Sequence, residues 1–276
     1  MGFSELPQEV HDLIVDFAAP EGGVPEGGFR EGGYVWEDIT MPTSALVSRS
    51  LTARAQWHIF RNVKLIGAKD FSMFESTLAS SPRLGAYTAT LVVALGDTRW
   101  QRHDELPGSK RKLGTLARIL RGCSNMGTLH AFVDETITPL DMAALGSTRN
   151  LPALRHIHLA GVFGGGGGLA YSVFEAFCSL AQRLDVLQLS SMKLTIDKSG
   201  PRNLALPEIR HLEMTLEADE RSFIHLTKML EGYLGKLVVN LSKSCAFYRE
   251  IWLVSAVGYT LRSLTITRLT DGKLYL

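Results

Sequence analysis

A six-residue ladder of leucine-type residues, L-x-x-L-x-L, recurs five times in the second half of the chain. It reads Leu154-Arg155-His156-Ile157-His158-Leu159, then Leu184-Asp185-Val186-Leu187-Gln188-Leu189. It continues as Ile209-Arg210-His211-Leu212-Glu213-Met214, Leu234-Gly235-Lys236-Leu237-Val238-Val239 and Leu261-Arg262-Ser263-Leu264-Thr265-Ile266. The closing residues 159, 189, 214, 239 and 266 lie 30, 25, 25 and 27 positions apart. An extended chain sends alternate side chains to opposite faces. Ile157 and Leu159 therefore face one way, and His156, His158 and Ala160 the other. One ladder cannot bury its apolar set alone. Stacked ladders can, by pairing as parallel strands with helices covering one side of the sheet.

A period in this range with this pattern is the mark of leucine-rich repeats. The intervening segments carry helical spacing. Tyr171–Gln182 places Val173, Phe174, Phe177 and Leu180 on one face, with Ala181 close by. Glu220–Leu234 and Ser244–Gly258 do the same, and Gly258 suits a helix stop. Upstream, Met126-Gly127-Thr128-Leu129-His130-Ala131 is a degraded copy, preceded by a helix over Leu113–Gly122. Tyr87–Leu95 and Phe60–Leu65 are earlier strand candidates, joined by a helix over Lys69–Ala79. Ordinary βαβ units of a non-repeat domain are the competing reading.

Of 276 residues, 45% are hydrophobic and 21% charged, which is ample for a real core. A net charge of +1 offers no bulk electrostatic case for nucleic acid or an acidic membrane. Cys123, Cys178 and Cys245 are distant and odd in number, which suggests buried free thiols in a reducing compartment. Met1–Val10 carries Glu5 and Glu9 and lacks the cationic-then-apolar order of a secretory signal. No apolar run approaches the ~18 residues that span a bilayer. The expected location is cytoplasmic, nuclear or both.

The first sixty residues do not follow the repeat. Leu6, Val10, Leu13, Ile14 and Phe17 give a short helix one apolar face, with Pro7 at its start and Pro20 at its end. Residues 21–33 form a glycine-rich acidic insert. A second helix is expected from about Thr43 to Phe60, with Val47, Leu51, Ala55 and Ile59 on one side and Arg49, Arg54 and Arg61 toward solvent. Three fragments carry a family resemblance: Leu6-Pro7 with Glu9-Val10 and Leu13-Ile14, then Ala45-Leu46-Val47-Ser48-Arg49, then Ala55-Gln56 with Ile59-Phe60-Arg61, Val63 and Leu65. In this order and at this position they resemble an F-box, most nearly the heads of fungal F-box proteins with divergent leucine-rich repeats. The linker between the first two fragments is longer than usual for that family, and Ser50 stands where an aromatic residue is common.

The resemblance implies an α/β chain in two parts. Residues 1–66 would be a helical F-box-like head. Residues 67–276 would be an irregular leucine-rich-repeat solenoid, with parallel strands on the concave face and helices on the convex face. It also implies a substrate-recruiting adaptor of a cullin-RING (SCF-type) ubiquitin ligase that does no chemistry and uses no cofactor. Leu6, Pro7, Val10, Ile14 and Leu46 would contact a Skp-type adaptor bound to the cullin scaffold, and the repeats would hold an unidentified protein substrate. The alternatives are a repeat-type interaction module without a ubiquitin link and a nucleotide-dependent α/β enzyme.

By alternation, the substrate face is expected to present His130, Phe132, His156, His158, Val186, Gln188, His211, Glu213, Lys236 and Val238, flanked by Thr128, Thr215, Asn240, Ser263 and Thr265. Phe132, Val186 and Val238 are expected to stand exposed as partner anchors. His130, His156, His158 and His211 could line up as a column across neighbouring strands, charging below about pH 6.5. No Cys, Asp or Glu joins them at a usual ligand spacing, so a metal site is not expected. Gly164–Gly168 meets the letter of a dinucleotide fingerprint. However, Asp185 falls at the start of a strand rather than at its end, which favours a plain loop. Serine-hydrolase, zincin and Walker motifs are absent from the sequence.

Overall fold

The computed structural model describes residues 7–18, 49–95, 109–133, 151–161, 169–195, 207–218, 234–241 and 261–268, with the single positions 137, 145 and 148. The head contributes α1 (Gln8–Ala18) and α2 (Arg49–Arg61). Then come β1 (Asn62–Leu65), α3 (Ala68–Ser80), a 3-10 turn (Pro82–Tyr87), β2 (Thr90–Ala94), α4 (Ser109–Gly122) and β3 (Thr128–Val133). The remainder gives β4 (His156–Gly161), β5 (Leu169–Ala170), α5 (Tyr171–Cys178), β6 (Arg183–Thr195), β7 (Glu208–Ala218), β8 (Lys236–Leu241) and β9 (Ser263–Arg268).

All nine described strands lie in one parallel sheet. Apart from the short β5, which pairs with the far end of β6, neighbours in the sheet are neighbours in the chain. The register follows the ladder position by position. Val63, Leu91, Leu129, Ile157, Leu187, Leu212, Leu237 and Leu264 form one cross-strand row. Leu65, Val93, Ala131, Leu159, Leu189, Met214, Val239 and Ile266 form the next. The first row is buried from Val63 to Leu237, and the second from Leu65 to Leu189. Helices α3, α4 and α5 pack on that side through Phe71, Phe74, Leu116, Leu120, Phe174 and Phe177.

The two-residue gap that opens each ladder has a backbone cause. The carbonyl of the second ladder residue accepts both amides that begin the next strand. Ala89 O takes the N–H groups of Gly127 and Thr128 at 2.9 and 3.1 Å, and Gly127 O those of Arg155 and His156 at 2.9 and 3.0 Å. Arg155 O and Gly235 O repeat the arrangement further along the sheet. The chain steps sideways at this corner, so both the first and the fourth ladder residues reach the core. Leu154, Leu184, Ile209 and Leu234 are buried in the first position, as are Met126 and Thr88.

Close packing between the early helices leaves no room at one glycine. A Cβ built on Gly85, in the 3-10 turn, would lie 2.1 Å from the carbonyl oxygen of Gly122 at the end of α4. Arg118 of α4 also pairs with Glu75 of α3. Lys112 is buried, and its ammonium donates to the carbonyls of Ile66 and Ala94, just past β1 and at the end of β2.

In the head, Val15 of α1 packs on Leu51 and Ala55 of α2, with Ile59 alongside. Asp16 fixes the helix pair. Its carboxylate accepts Arg54 Nε and Nη2 at 2.6 and 2.8 Å and meets His58 Nε2 at 2.8 Å. Hydrogen bonds from Arg54 and then His58 hold the Asp16 carboxyl down to about 2. Arg54 was expected toward solvent; instead it closes this contact and lies 4.6 Å from the Trp57 ring centroid, as does Arg61. Ion pairing and an aromatic face together outcompete water for a guanidinium so placed.

Where the sequence and the structure overlap, the elements agree closely. The expected helices over Lys69–Ala79 and Leu113–Gly122 are there, α4 starting one turn earlier. The expected helix over Tyr171–Gln182 ends at Cys178. Strands β6 and β7 run well past their ladders, with a register shift between Ser190 and Met192. The expected helices over 220–233 and 244–258, the insert at 21–33 and the glycine run at 164–168 lie outside the described residues.

Candidate functional site

The sheet face opposite the helices is built from the residues between the buried rungs. Register sorts them into rows, two of which carry the histidines. One runs Thr128, His156, Val186, His211, Lys236, Ser263, and the other Val92, His130, His158, Gln188, Glu213, Val238, Thr265. The expected single column of imidazoles is therefore corrected. His130 and His158 are direct neighbours, while His156 and His211 belong to the other row and are separated by Val186. A step of one residue along a strand moves a side chain off the face. A step of two moves it to the next row, and pattern alone does not show which residues then meet.

Exposure also differs from the expectation. His156, Lys236, Ser263 and Thr265 are exposed, but Phe132, Val186 and Val238 are half-buried. Phe132 sits between Ala94 and Ala160 in its row, both buried. Side-by-side strands about 4.8 Å apart shield one another, so an outward apolar residue keeps only part of its surface. These three keep the position expected of partner contacts, with less free area than lone anchors would have.

The closest polar geometry on the face is a chain of three groups. His130 Nδ1 and His158 Nδ1 are 3.1 Å apart, with the rings edge to face at 5.3 Å. His158 Nε2 lies 2.9 Å from Ser190 Oγ. One proton serves the two Nδ1 atoms, whichever ring carries it. Burial, and then the neighbouring imidazole, push His158 down to about 4. Burial and then His156 lower His130, and burial and then Lys236 lower His211, with Glu213 opposing. The expectation that this cluster charges below about pH 6.5 is thus corrected for these three rings. Burial disfavours the imidazolium, so these three rings stay neutral into more acidic solution. Among the described residues, the buried Nε2 of His211 has no hydrogen-bond partner.

A serine, a histidine on it and a second histidine behind have the connectivity of a nucleophile, base and orienting group. However, a base held near 4 is weak at neutral pH. The amides of the interior strands β4 and β6 are engaged by neighbours on both sides, which leaves no row of free backbone donors there for an oxyanion.

The second candidate surface is on α1. Among its described side chains His11 and Val15 are buried, and Val10, Leu13 and Ile14 face outward at 36%, 57% and 40% exposure. Of the expected adaptor contacts, Val10 and Ile14 are thus exposed together, Pro7 is exposed beside them, and Leu6 and Leu46 lie outside the described residues. Cys123 and Cys178 are buried free thiols, pushed up by that burial, Cys123 to about 11. Among the described residues no helix is long and apolar enough to cross a membrane, and no group of three or more His, Cys, Asp or Glu could hold a metal.

No protein-family model matches the chain, and no curated protein matches it.

Proposed function

We propose that this chain is a substrate-recruiting adaptor of a cullin-RING ubiquitin ligase, its head an F-box-like domain and its remainder a leucine-rich-repeat solenoid. In this reading α1 docks on a Skp-type adaptor and the sheet face holds the protein substrate. The observation that carries it is the orientation of α1. An amphipathic helix in a self-contained domain turns its apolar stripe inward. Here α1 is anchored through His11, Val15 and Asp16, and it offers Val10, Leu13 and Ile14 outward. Contiguous apolar residues left exposed on a helix suit a helix-packing partner. The parallel strands in chain order, with rungs in one-to-one register, support the repeat part of the reading. The fragments that resemble an F-box span α1, α2 and β1.

Recovery of a Skp-type adaptor with the tagged chain from a eukaryotic lysate tests this. The wild type should bring the adaptor down, and Val10→Asp with Ile14→Asp should abolish recovery. Both residues are exposed, so the unfolding midpoint should be unchanged. Adaptor recovery indifferent to the double substitution, or its absence from the wild type, would refute the assignment. Capture of another protein through the sheet face without the adaptor would favour a plain interaction module.

A further inference from the structure

We propose that His130 and His158 form a binding site for a borderline transition-metal dication, Zn2+ first among them, held by the two Nδ1 atoms in place of their shared proton. The inference stands apart from the adaptor reading. Parallel pairing of β3 with β4 sets His130 directly beside His158, and their Nδ1 atoms face each other at 3.1 Å. Two imidazole nitrogens on one tetrahedral zinc, each bonded at about 2.05 Å, stand about 3.3 Å apart, and a square-planar ion needs about 2.9 Å. The observed separation falls between these spans. Turning each ring so that its Nδ1 lone pair meets the ion, with the shared proton passing to Nε2 of the ring that carried it, turns a pair that shares a proton into a pair that shares a cation.

Two further features fit a ligand pair. Metal on Nδ1 requires the other ring nitrogen to carry the proton and to donate it. Ser190 Oγ stands 2.9 Å from His158 Nε2 as the acceptor, the outer-shell contact that fixes a ligating imidazole. Both rings are also half-buried, and their strand neighbours hold them side by side as a pair. With no third His, Cys, Asp or Glu completing a ligand group beside the pair among the described residues, the protein supplies two ligands. The remaining positions fall to water or to a side chain of a bound protein. The site is therefore open, on the face that carries Gln188 and Phe132.

The test uses the full chain with a tag free of histidine, titrated with Zn2+ alone. Calorimetry should give one ion per chain, and the imidazole 15N resonances of His130 and His158 should both move at Nδ1, with Nε2 of both rings in the protonated range once the ion is bound. His130→Gln and His158→Gln should each abolish binding, whereas His156→Gln, exposed in the neighbouring row, should leave it unchanged. Ser190→Ala should weaken it about 10–100-fold without changing the stoichiometry. Undetectable zinc binding by the wild type would overturn the proposal. So would binding that survives His130→Gln, or shifts confined to Nε2. The resonance shifts are read on the wild type, so the test stands even if a variant fails to fold.

Discussion

Replacing Gly85 by alanine should destabilise the early part of the sheet far more than a single methyl suggests. The added Cβ would lie 2.1 Å from Gly122 O, 2.9 Å from Gly122 C and 3.3 Å from Leu78 Cδ2. Real Cβ atoms do not approach within 3.0 Å, so the 3-10 turn and the end of α4 must part by at least 0.9 Å, the difference between 3.0 and 2.1 Å. The obstacle is backbone at a helix end and cannot rotate away. Gly85 itself is buried, and the helices it separates pack on Leu78, Leu84 and the core beyond. Overpacking a filled interior costs about 1–3 kcal/mol, and a backbone obstacle places this case at about 2–3 kcal/mol. Two glycines serve as controls. At Gly122 a Cβ meets Leu78 Cδ1 at 3.2 Å, the end of a flexible side chain, and at Gly127 nothing lies closer than 3.8 Å. Alanine at either should stay within about 1 kcal/mol of wild type. Urea unfolding followed by circular dichroism on the three variants decides it. If Gly85→Ala unfolds at the wild-type midpoint, the close approach of turn and helix is wrong.

Leu187→Ala removes a fully buried rung between Ile157 and Leu212 and should cost about 2–5 kcal/mol. Its neighbours should loosen too, seen as faster amide exchange in β4 and β7; exchange confined to β6 would argue against strand-to-strand dependence. Asp16→Asn should matter above pH 4 and cease to matter in strong acid. The folded carboxyl titrates at about 2, below its ordinary 3.8, so its contribution is present above 3.8 and is lost as pH falls toward 2. A wild-type advantage over the variant that persists unchanged through that window would exclude the Arg54 and His58 pairing as its source.

The rungs were legible because burial imposes itself on composition. A position flanked by strands on both sides and shut off from water is seldom polar, so Ile157, Leu187, Leu212 and Leu237 announce their strands from the sequence. The second strand was harder to read, since Thr88 stands where the other ladders open with an apolar residue, yet it is buried all the same. What pattern could not supply was lateral registry. That His130 meets His158 while His156 meets Val186 follows from which residues of β3, β4 and β6 pair, a relation between segments distant in the chain. Arg54 illustrates a second blind spot. Its helical position is a solvent position for α2 taken alone, and the approach of Asp16 from α1 turns it into a half-buried contact between the two helices. The same holds for Val10, Leu13 and Ile14 of α1, which read as core although, among the described side chains of that helix, the buried ones are His11 and Val15.

Among the described strands, the sheet ends at β1, which has a strand on one side only. An unpaired strand edge is a template for a foreign strand. Here the chain enters β1 straight from α2, which packs against it, while Phe60 stacks on Phe74 at 6.2 Å and closes the core at that end. The head is thus expected to guard also against self-association. A fragment beginning after residue 66 would have no first strand and no helix in front of it, and would present β2 as a bare apolar rim. Such a fragment should form oligomers at concentrations where the whole chain stays monodisperse, and adding the head back in trans should not cure it, because the guard works by chain continuity.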